Sequence, residues 1–175
     1  MNAPYRFRPA ALADLPILKR WRETPAVLAW WGAWEDPEAE LAAHLADPDM
    51  ALWIVEQAGR PFAFAQDYAC HAFDLHPFSY LPPGSRGVDL YIGESALRGR
   101  GHGTALLRQH CDRLFAAGAP AIGTDPHPDN LRARRAYEKA GFAVVSGPVE
   151  TRWGRAVLME RRAGPRPPDP ASPRP

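Results

Sequence analysis

The chemistry in this chain concentrates first in Arg98-Gly99-Arg100-Gly101-His102-Gly103-Thr104, which lies between an apolar strand pattern and an amphipathic helix pattern. Glycines let the backbone come close to an anion, and the N–H groups that open a helix point outward without intrahelical partners. With Arg98 and Arg100 adding positive charge, the segment reads as a cradle for a diphosphate. It is not a Walker loop, which would end in Gly-Lys-Ser/Thr. It is not the dinucleotide fingerprint either, because position 104 holds Thr where a third glycine belongs. A purely structural turn fits the same residues, so the surroundings must decide.

Three further residues could move protons. Asp89 sits in an otherwise apolar strand, where a carboxylate is costly unless it is paired or opens on a cleft. Asp125 ends the neighbouring strand before Pro126, where open α/β sheets bind ligands; a turn residue or local cap is the other reading. Either carboxylate could hold an ammonium group and accept its proton. Tyr137 shares helical spacing with Ala133, Ala136 and Ala140, so it is either a packed helix residue or a phenol placed as a general acid. The indole of Trp31, beside acids, suits a sugar or ammonium ligand as well as a core. The six histidines show no metal spacing, and no metal is expected. Cys70 and Cys111 are too few for a disulfide scaffold or a cysteine zinc site, and neither has a neighbouring His in a nucleophilic arrangement.

The elements that must position these groups alternate along the chain. Strands are expected at 5–8, 51–57, 61–68, 87–93, 119–124, 142–149 and 152–160. Helices are expected at 11–22, from Asp36-Pro37-Glu38 onward, at 103–117 and at 130–140. Ala58-Gly59-Arg60 should turn a hairpin, and a loop rich in Pro and aromatics fills 69–85. The order β-α-α-β-β-β-α-β-α-β-β indicates an α/β (α+β) fold, a mixed sheet with helices on both faces.

A length of 175 residues suits one domain. Its 20 prolines are about twice the usual share of roughly 5%. Six of them fall in residues 163–175, a segment too polar to offset its ordering entropy; we expect a disordered tail behind a single domain at 1–162. Net charge is +1, which gives no footprint for nucleic acid. That near-neutrality conceals a division: Glu23 to Glu56 holds eight acids and no Lys or Arg, whereas Arg98 to Lys139 holds eight bases and four acids. An acidic side for a cation and a basic side for a polyanion is one reading; a solvated helix face is the other. No run approaches the ~20 apolar residues of a membrane span, and the start has no apolar signal region. A cytoplasmic protein, monomer or homodimer, is expected, with no membrane or nucleic-acid partner.

In that order of elements, Arg98-x-x-Gly101-x-Gly103 resembles the acetyl-CoA pyrophosphate loop of the GCN5-related N-acetyltransferase (GNAT) superfamily. Asn130 through Tyr137 to Gly141-Phe142 resembles that superfamily's second signature, and the likeness spans about residues 5 to 161. It implies a mixed, mostly antiparallel central sheet flanked by helices, with acetyl-CoA as cosubstrate. Leu90, Tyr91 and Ile92 would run beside the pantetheine arm. Arg98, Gly99, Arg100, Gly101, His102, Gly103 and Thr104 would hold the diphosphate, and Asn130 and Arg134 would flank the cofactor. Residues 86–142, with Ala29-Trp30-Trp31-Gly32 and Phe64-Ala65-Gln66-Asp67-Tyr68, resemble the bacterial aminoglycoside 6′-N-acetyltransferases. By that likeness Trp31, Gln66, Tyr68, Asp89 and Asp125 line an amine pocket, with Asp89, Asp125 and Tyr137 catalytic. Those enzymes carry Trp and several acids in the loop that is Cys70–Tyr80 here, where Asp74 is essentially the acid left for the substrate. The implied reaction is direct acyl transfer to a small cationic amine. Another small amine, a siderophore precursor or a protein amine is the alternative acceptor, and a non-catalytic CoA-binding module is the alternative class.

Overall fold

The structure, a computed structural model, describes residues 5–74 and 76–164. Seven strands form one sheet in the order β1-β2-β3-β4-β5-β7-β6: β1 (Arg6–Pro9), β2 (Met50–Gln57), β3 (Arg60–Ala69), β4 (Arg86–Ile92), β5 (Ala121–Thr124), β6 (Ala143–Thr151) and β7 (Gly154–Arg162). Every neighbouring pair is antiparallel except β4–β5. That parallel pairing is short, joining only Arg86 to Ile122 and Gly87 to Gly123. Beyond it β4 runs on to Ile92 without β5 beside it. On the far side, Val157 N–H donates to the Pro126 carbonyl, so the chain after β5 keeps company with β7 instead.

Side-chain alternation sorts the strands onto two faces. Leu52, Ile54 and Phe64 pack on one face against Leu18, Trp21, Val27 and Leu41, from α1 (Leu15–Arg22), α2 (Pro25–Trp31) and α3 (Pro37–Ala46). On the other, Val55, Ala63, Ala65 and Val88 face Leu106, Leu107 and Cys111 of α4 (His102–Ala116). Helix α5 (Leu131–Lys139) covers β5 and β7 on that side through Tyr137 and Ala140. The expected mixed, mostly antiparallel sheet with helices on both faces is what forms, and Cys111 is the small core residue expected of it.

Three local differences stand out. The helix expected at 11–22 is a short 3-10 turn, Leu12–Asp14, followed by α1. Helix α2 was not expected, although Thr24 before Pro25 and Gly32 after Trp31 are ordinary start and stop signals. Arg152, expected to open the last strand, lies in the β6–β7 turn: Trp153 N–H donates to Thr151 Oγ1 (3.1 Å), whose hydroxyl donates to the Gly154 carbonyl (2.8 Å). Of the tail expected to be disordered, Ala163 N–H donates to the Pro120 carbonyl, and residues 165–175 lie outside the described residues. Among the described residues no helix is long and apolar enough to cross a membrane.

The last β4–β5 pair is glycine on both strands, and each glycine gives its side-chain space to an aromatic ring. A Cβ on Gly87 would stand 2.2 Å from the Tyr68 ring, and one on Gly123 would stand 2.6 Å from Phe78. Gly87→Ala should therefore force Tyr68 aside. We expect a loss of about 1–3 kcal/mol in urea unfolding, the usual cost of overpacking.

Candidate functional site

Where β4 and β5 part, a cleft of about 620 Å³ opens on the face carrying α1–α3. Asp89, two residues beyond the glycine pair on β4, and Asp125, one residue beyond β5, both line it. Gln66 on β3 stands opposite Asp89 in the register and donates from Nε2 to Asp89 Oδ2 (2.9 Å). Burial pushes the Asp89 carboxyl above its ordinary range, with the Gln66 amide opposing. Burial pushes Asp125 up to about 8, and the Asp89 charge adds to the effect. Two carboxylates this close cannot both ionise cheaply. The geometry favours keeping the proton on Asp125 and the charge on Asp89, which has the amide donor.

Two phenols border the pair. Tyr68 and Tyr137 are both buried, and burial followed by the Asp89 charge raises each well above the ordinary tyrosine range. Tyr137, edge-on to Phe142 (5.4 Å), reaches the cleft from α5. It keeps its proton at any working pH, so it can give up that proton but, so protonated, does not serve as a base. The Thr124 hydroxyl beside it is buried and makes no hydrogen bond of good geometry. Cys70 and Cys111 are fully buried free thiols, each pushed up to about 12 by burial. A thiol so held is a poor nucleophile.

The glycine loop stands at the far end of β4, opening α4. Gly99 (φ +79°) and Gly101 (φ +87°) are both left-handed, a conformation costly to other residues, and a Cβ on Gly101 would meet nothing within 4 Å. The loop is thus open to solvent at a helix start, where free backbone N–H groups suit an anion. Its arginines divide their work. Arg100 is exposed, whereas Arg98 turns inward, donating to the carbonyls of Ile92 (2.9 Å) and Gly93 (2.9 Å) and to Thr24 Oγ1 (3.0 Å). His102 is buried, with its ring against the Tyr5 hydroxyl (2.7 Å); only its backbone faces the loop's ligand side. Gly103 and Thr104 continue the first turn of α4. Arg132, at the start of α5, approaches Gly99 and was not singled out in the sequence.

Asn130 caps α5, accepting from Ala133 N–H (3.1 Å), and lines the cleft beside Tyr137. Arg134 donates to the Pro128 carbonyl (3.1 Å) and braces the turn between Asp125 and α5. Leu90 and Tyr91 line the cleft, while Ile92 packs on the α4 side. Trp31 also lines it, edge-on to Tyr91 (4.9 Å) and Phe64 (6.0 Å), so it is a core residue and a wall at once. Asp74 is exposed and does not line the cleft. The acidic segment 23–56 also contributes little: Glu40 lines the cleft, but Glu56 pairs with Arg6 and Arg8, and Asp36 caps α3. The solvated-face reading holds for most of that segment. Trp30, His76 and Trp153 line the cleft unexpectedly. An indole at the tip of a tight hairpin was the one available signal for Trp153. Among the described residues no group of His, Cys, Asp and Glu could hold a metal.

Residues 10–147 match the family model described as an acetyltransferase (GNAT) domain. The chain is 36% identical over 155 residues to an aminoglycoside N(6')-acetyltransferase type 1 of Klebsiella pneumoniae, covering 83% of this chain and 77% of that protein. It superposes with TM-score 0.82 on aminoglycoside acetyltransferase AAC(6')-Ib solved with paromomycin and acetyl-CoA, at 32% identity over 91% of this chain and 94% of the other. The same enzyme with coenzyme A and kanamycin gives TM-score 0.82 at 32% identity, over 91% and 95%.

The raised Asp125 carboxyl has a measurable consequence. Between its ordinary 3.8 and about 8 the folded protein binds a proton that the unfolded chain has released. From this group, stability is full below about pH 4 and falls as pH rises toward 8. Asp125→Asn should flatten that slope in urea unfolding compared at pH 5 and pH 8.

Proposed function

This chain belongs to the GNAT acetyltransferase family and is an acetyl-CoA-dependent N-acetyltransferase; from that premise we propose that its acceptor is the 6′-amine of an aminoglycoside. The observation that carries the proposal is the buried Asp89–Asp125 pair at the floor of a cleft that ends, on one side, beside the unpaired stretch of β4. Such a pair binds an ammonium group and takes its proton, which the attacking amine must lose. The identity and coverage of the aminoglycoside-modifying relatives support the acceptor class.

Acetyl-CoA supplies the acetyl group and a thiol leaving group. Backbone N–H groups of residues 99–104, with Arg100 and Arg132, receive the diphosphate at the start of α4. Arg98 acts behind them, holding the loop to the end of β4. Leu90, Tyr91 and Ile92 lie beside the pantetheine arm, where unpaired backbone N–H groups polarise the thioester carbonyl as an oxyanion site does. Asn130 and Arg134 shape the opposite wall. Gln66 orients Asp89 and opposes the upward push of burial on its carboxyl, Tyr68 closes the floor, and Trp31 walls the acceptor side.

Asp125 or Asp89, acting as one coupled pair, accepts the ammonium proton. The neutral nitrogen bonds to the carbonyl carbon, the carbon–sulfur bond breaks, Tyr137 gives its proton to the departing sulfur, and the surplus proton on the new amide nitrogen passes back to the Tyr137 oxygen. With both thiols buried and protonated, transfer is direct within a ternary complex. Orientation of the two bound molecules supplies much of the rate. We assign this catalytic unit to residues 1–162, outside the Pro-rich segment, in a reducing, cytoplasmic setting.

With acetyl-CoA and kanamycin, the protein should release one free thiol per acetyl gained by the antibiotic, read by thiol assay and mass spectrometry. A panel of aminoglycosides without turnover above hydrolysis removes the acceptor assignment. Asp89→Ala should lower kcat by about 10²–10⁴, the range for a lost proton acceptor, while calorimetric binding of acetyl-CoA stays unchanged. Tyr137→Phe should lower kcat with little change in acceptor KM; equal turnover at every pH would take the phenol out of the mechanism.

A further inference from the structure

Resting on that reading of the Asp89–Asp125 floor, we infer that the acceptor is held there by a single ammonium group with a flat ring face stacked on Trp153, so that this chain takes ring-bearing amines of low charge as readily as polycations. The lips of the cleft are aromatic. Trp153, at the tip of the β6–β7 hairpin, is 54% exposed and packs on the His76 ring (5.2 Å). His76 in turn touches Tyr68 (5.3 Å) and Phe73 (6.1 Å), giving a continuous wall that descends to the carboxylates. Opposite, Trp30 is 45% exposed above His127 (5.6 Å).

These are the features of a ring-binding slot. The indole, fixed by its own turn, offers a rigid, flat surface with little entropy left to lose on binding, and the exposed Arg152 guanidinium over its ring (5.0 Å) is what a ligand ring would displace. The wall behind it is neutral at working pH, because burial pushes His76 down to about 4 and its Nδ1 already accepts from Phe78 N–H (3.2 Å).

Charge in the cleft points the same way. Its acids are Glu40, Asp89 and Asp125. Glu40 lies near Arg22, whose charge offsets it. The other cation in the wall, Arg155, lies two residues from Trp153 on the same hairpin and pairs with Glu150 (3.3 Å). Asp74, the acid of the 70–80 loop, points to solvent. A second or third ammonium on the ligand therefore meets aromatic rings and acids already offset by arginine rather than a free carboxylate, and regains less than the hydration it loses.

Calorimetry with CoA in place of acetyl-CoA tests this without turnover. The probes are methyl 6-amino-6-deoxyglucopyranoside (one ammonium, one ring), 6-aminohexanol (one ammonium, no ring) and kanamycin (several ammonium groups on several rings). We expect Trp153→Ala to weaken the aminoglucoside about tenfold, the size of one lost aromatic contact, and to leave 6-aminohexanol unchanged. Trp153→Phe should restore most of the loss, and CoA binding alone should not change in either variant. Wild-type kanamycin should bind within about tenfold of the aminoglucoside, as one shared ammonium site implies. Equal weakening of the ringless amine, no weakening of the aminoglucoside, absence of binding by it, or kanamycin a hundredfold tighter would each overturn the inference. The two readings fail separately. Binding as expected without acetyl transfer to any amine defeats the transfer reading alone, whereas acetylation without the Trp153 pattern defeats only this one.

Discussion

Hydrogen bonding between β4 and β5 stops after the Gly87–Gly123 pair, and the position of that stop determines where ligands can enter. Its causes lie on both sides. The rings of Tyr68 and Phe78 fill the space above the two glycines, so a side chain at either position would have to push a ring aside. On β5, Pro126 follows closely and has no N–H for a ladder, while its carbonyl is already taken by Val157 of β7. Past Gly123 the β5 side offers only the N–H groups of Thr124 and Asp125 before Pro126 interrupts any ladder. Asp89 and Asp125 then face the opening instead of each other's backbone.

Rigidity next to the stop comes from the opposite face of β3. Asp67 points away from the cleft, accepting from Arg86 (2.6 Å) and from Trp53 Nε1 (2.8 Å). Arg86 is the residue just before Gly87, so this buried pair fastens β3 to β4 where β5 is about to leave. At the other end of β4, Arg98 closes the glycine loop onto the Ile92 and Gly93 carbonyls and reaches Thr24, the residue before α2. The anion end and the acceptor end of the site therefore share one braced strand. Arg98, expected at the diphosphate from the sequence, makes its hydrogen bonds to the strand end and to Thr24.

Much of this was legible from residue types. Strand and helix periodicity located nearly all the elements, because each buries one face and the patterns of 2 and 3.6 are distinct. Asp89 stood out because a carboxylate in an apolar strand needs a reason, and the structure gives it Gln66 and a cleft. Arg98 and His102 show the limit. Their types and positions mark the loop, but whether a side chain turns outward or toward the core depends on partners far away in sequence: Thr24 for one, Tyr5 for the other. Asp74 is exposed for the same reason, since a loop residue's direction is set by the loop's packing.

By itself the sequence determined the local elements, the glycine loop at a helix start and the residue types able to transfer an acyl group, because these follow from short-range backbone and side-chain preferences. Tertiary structure alone decided that β4 and β5 part at a glycine pair, and that two carboxylates share one buried floor. It also decided that Trp30, His76 and Trp153, from three separate segments, form its lips. Those features depend on register and on contacts between residues scores of positions apart, and no spacing within a single segment encodes them.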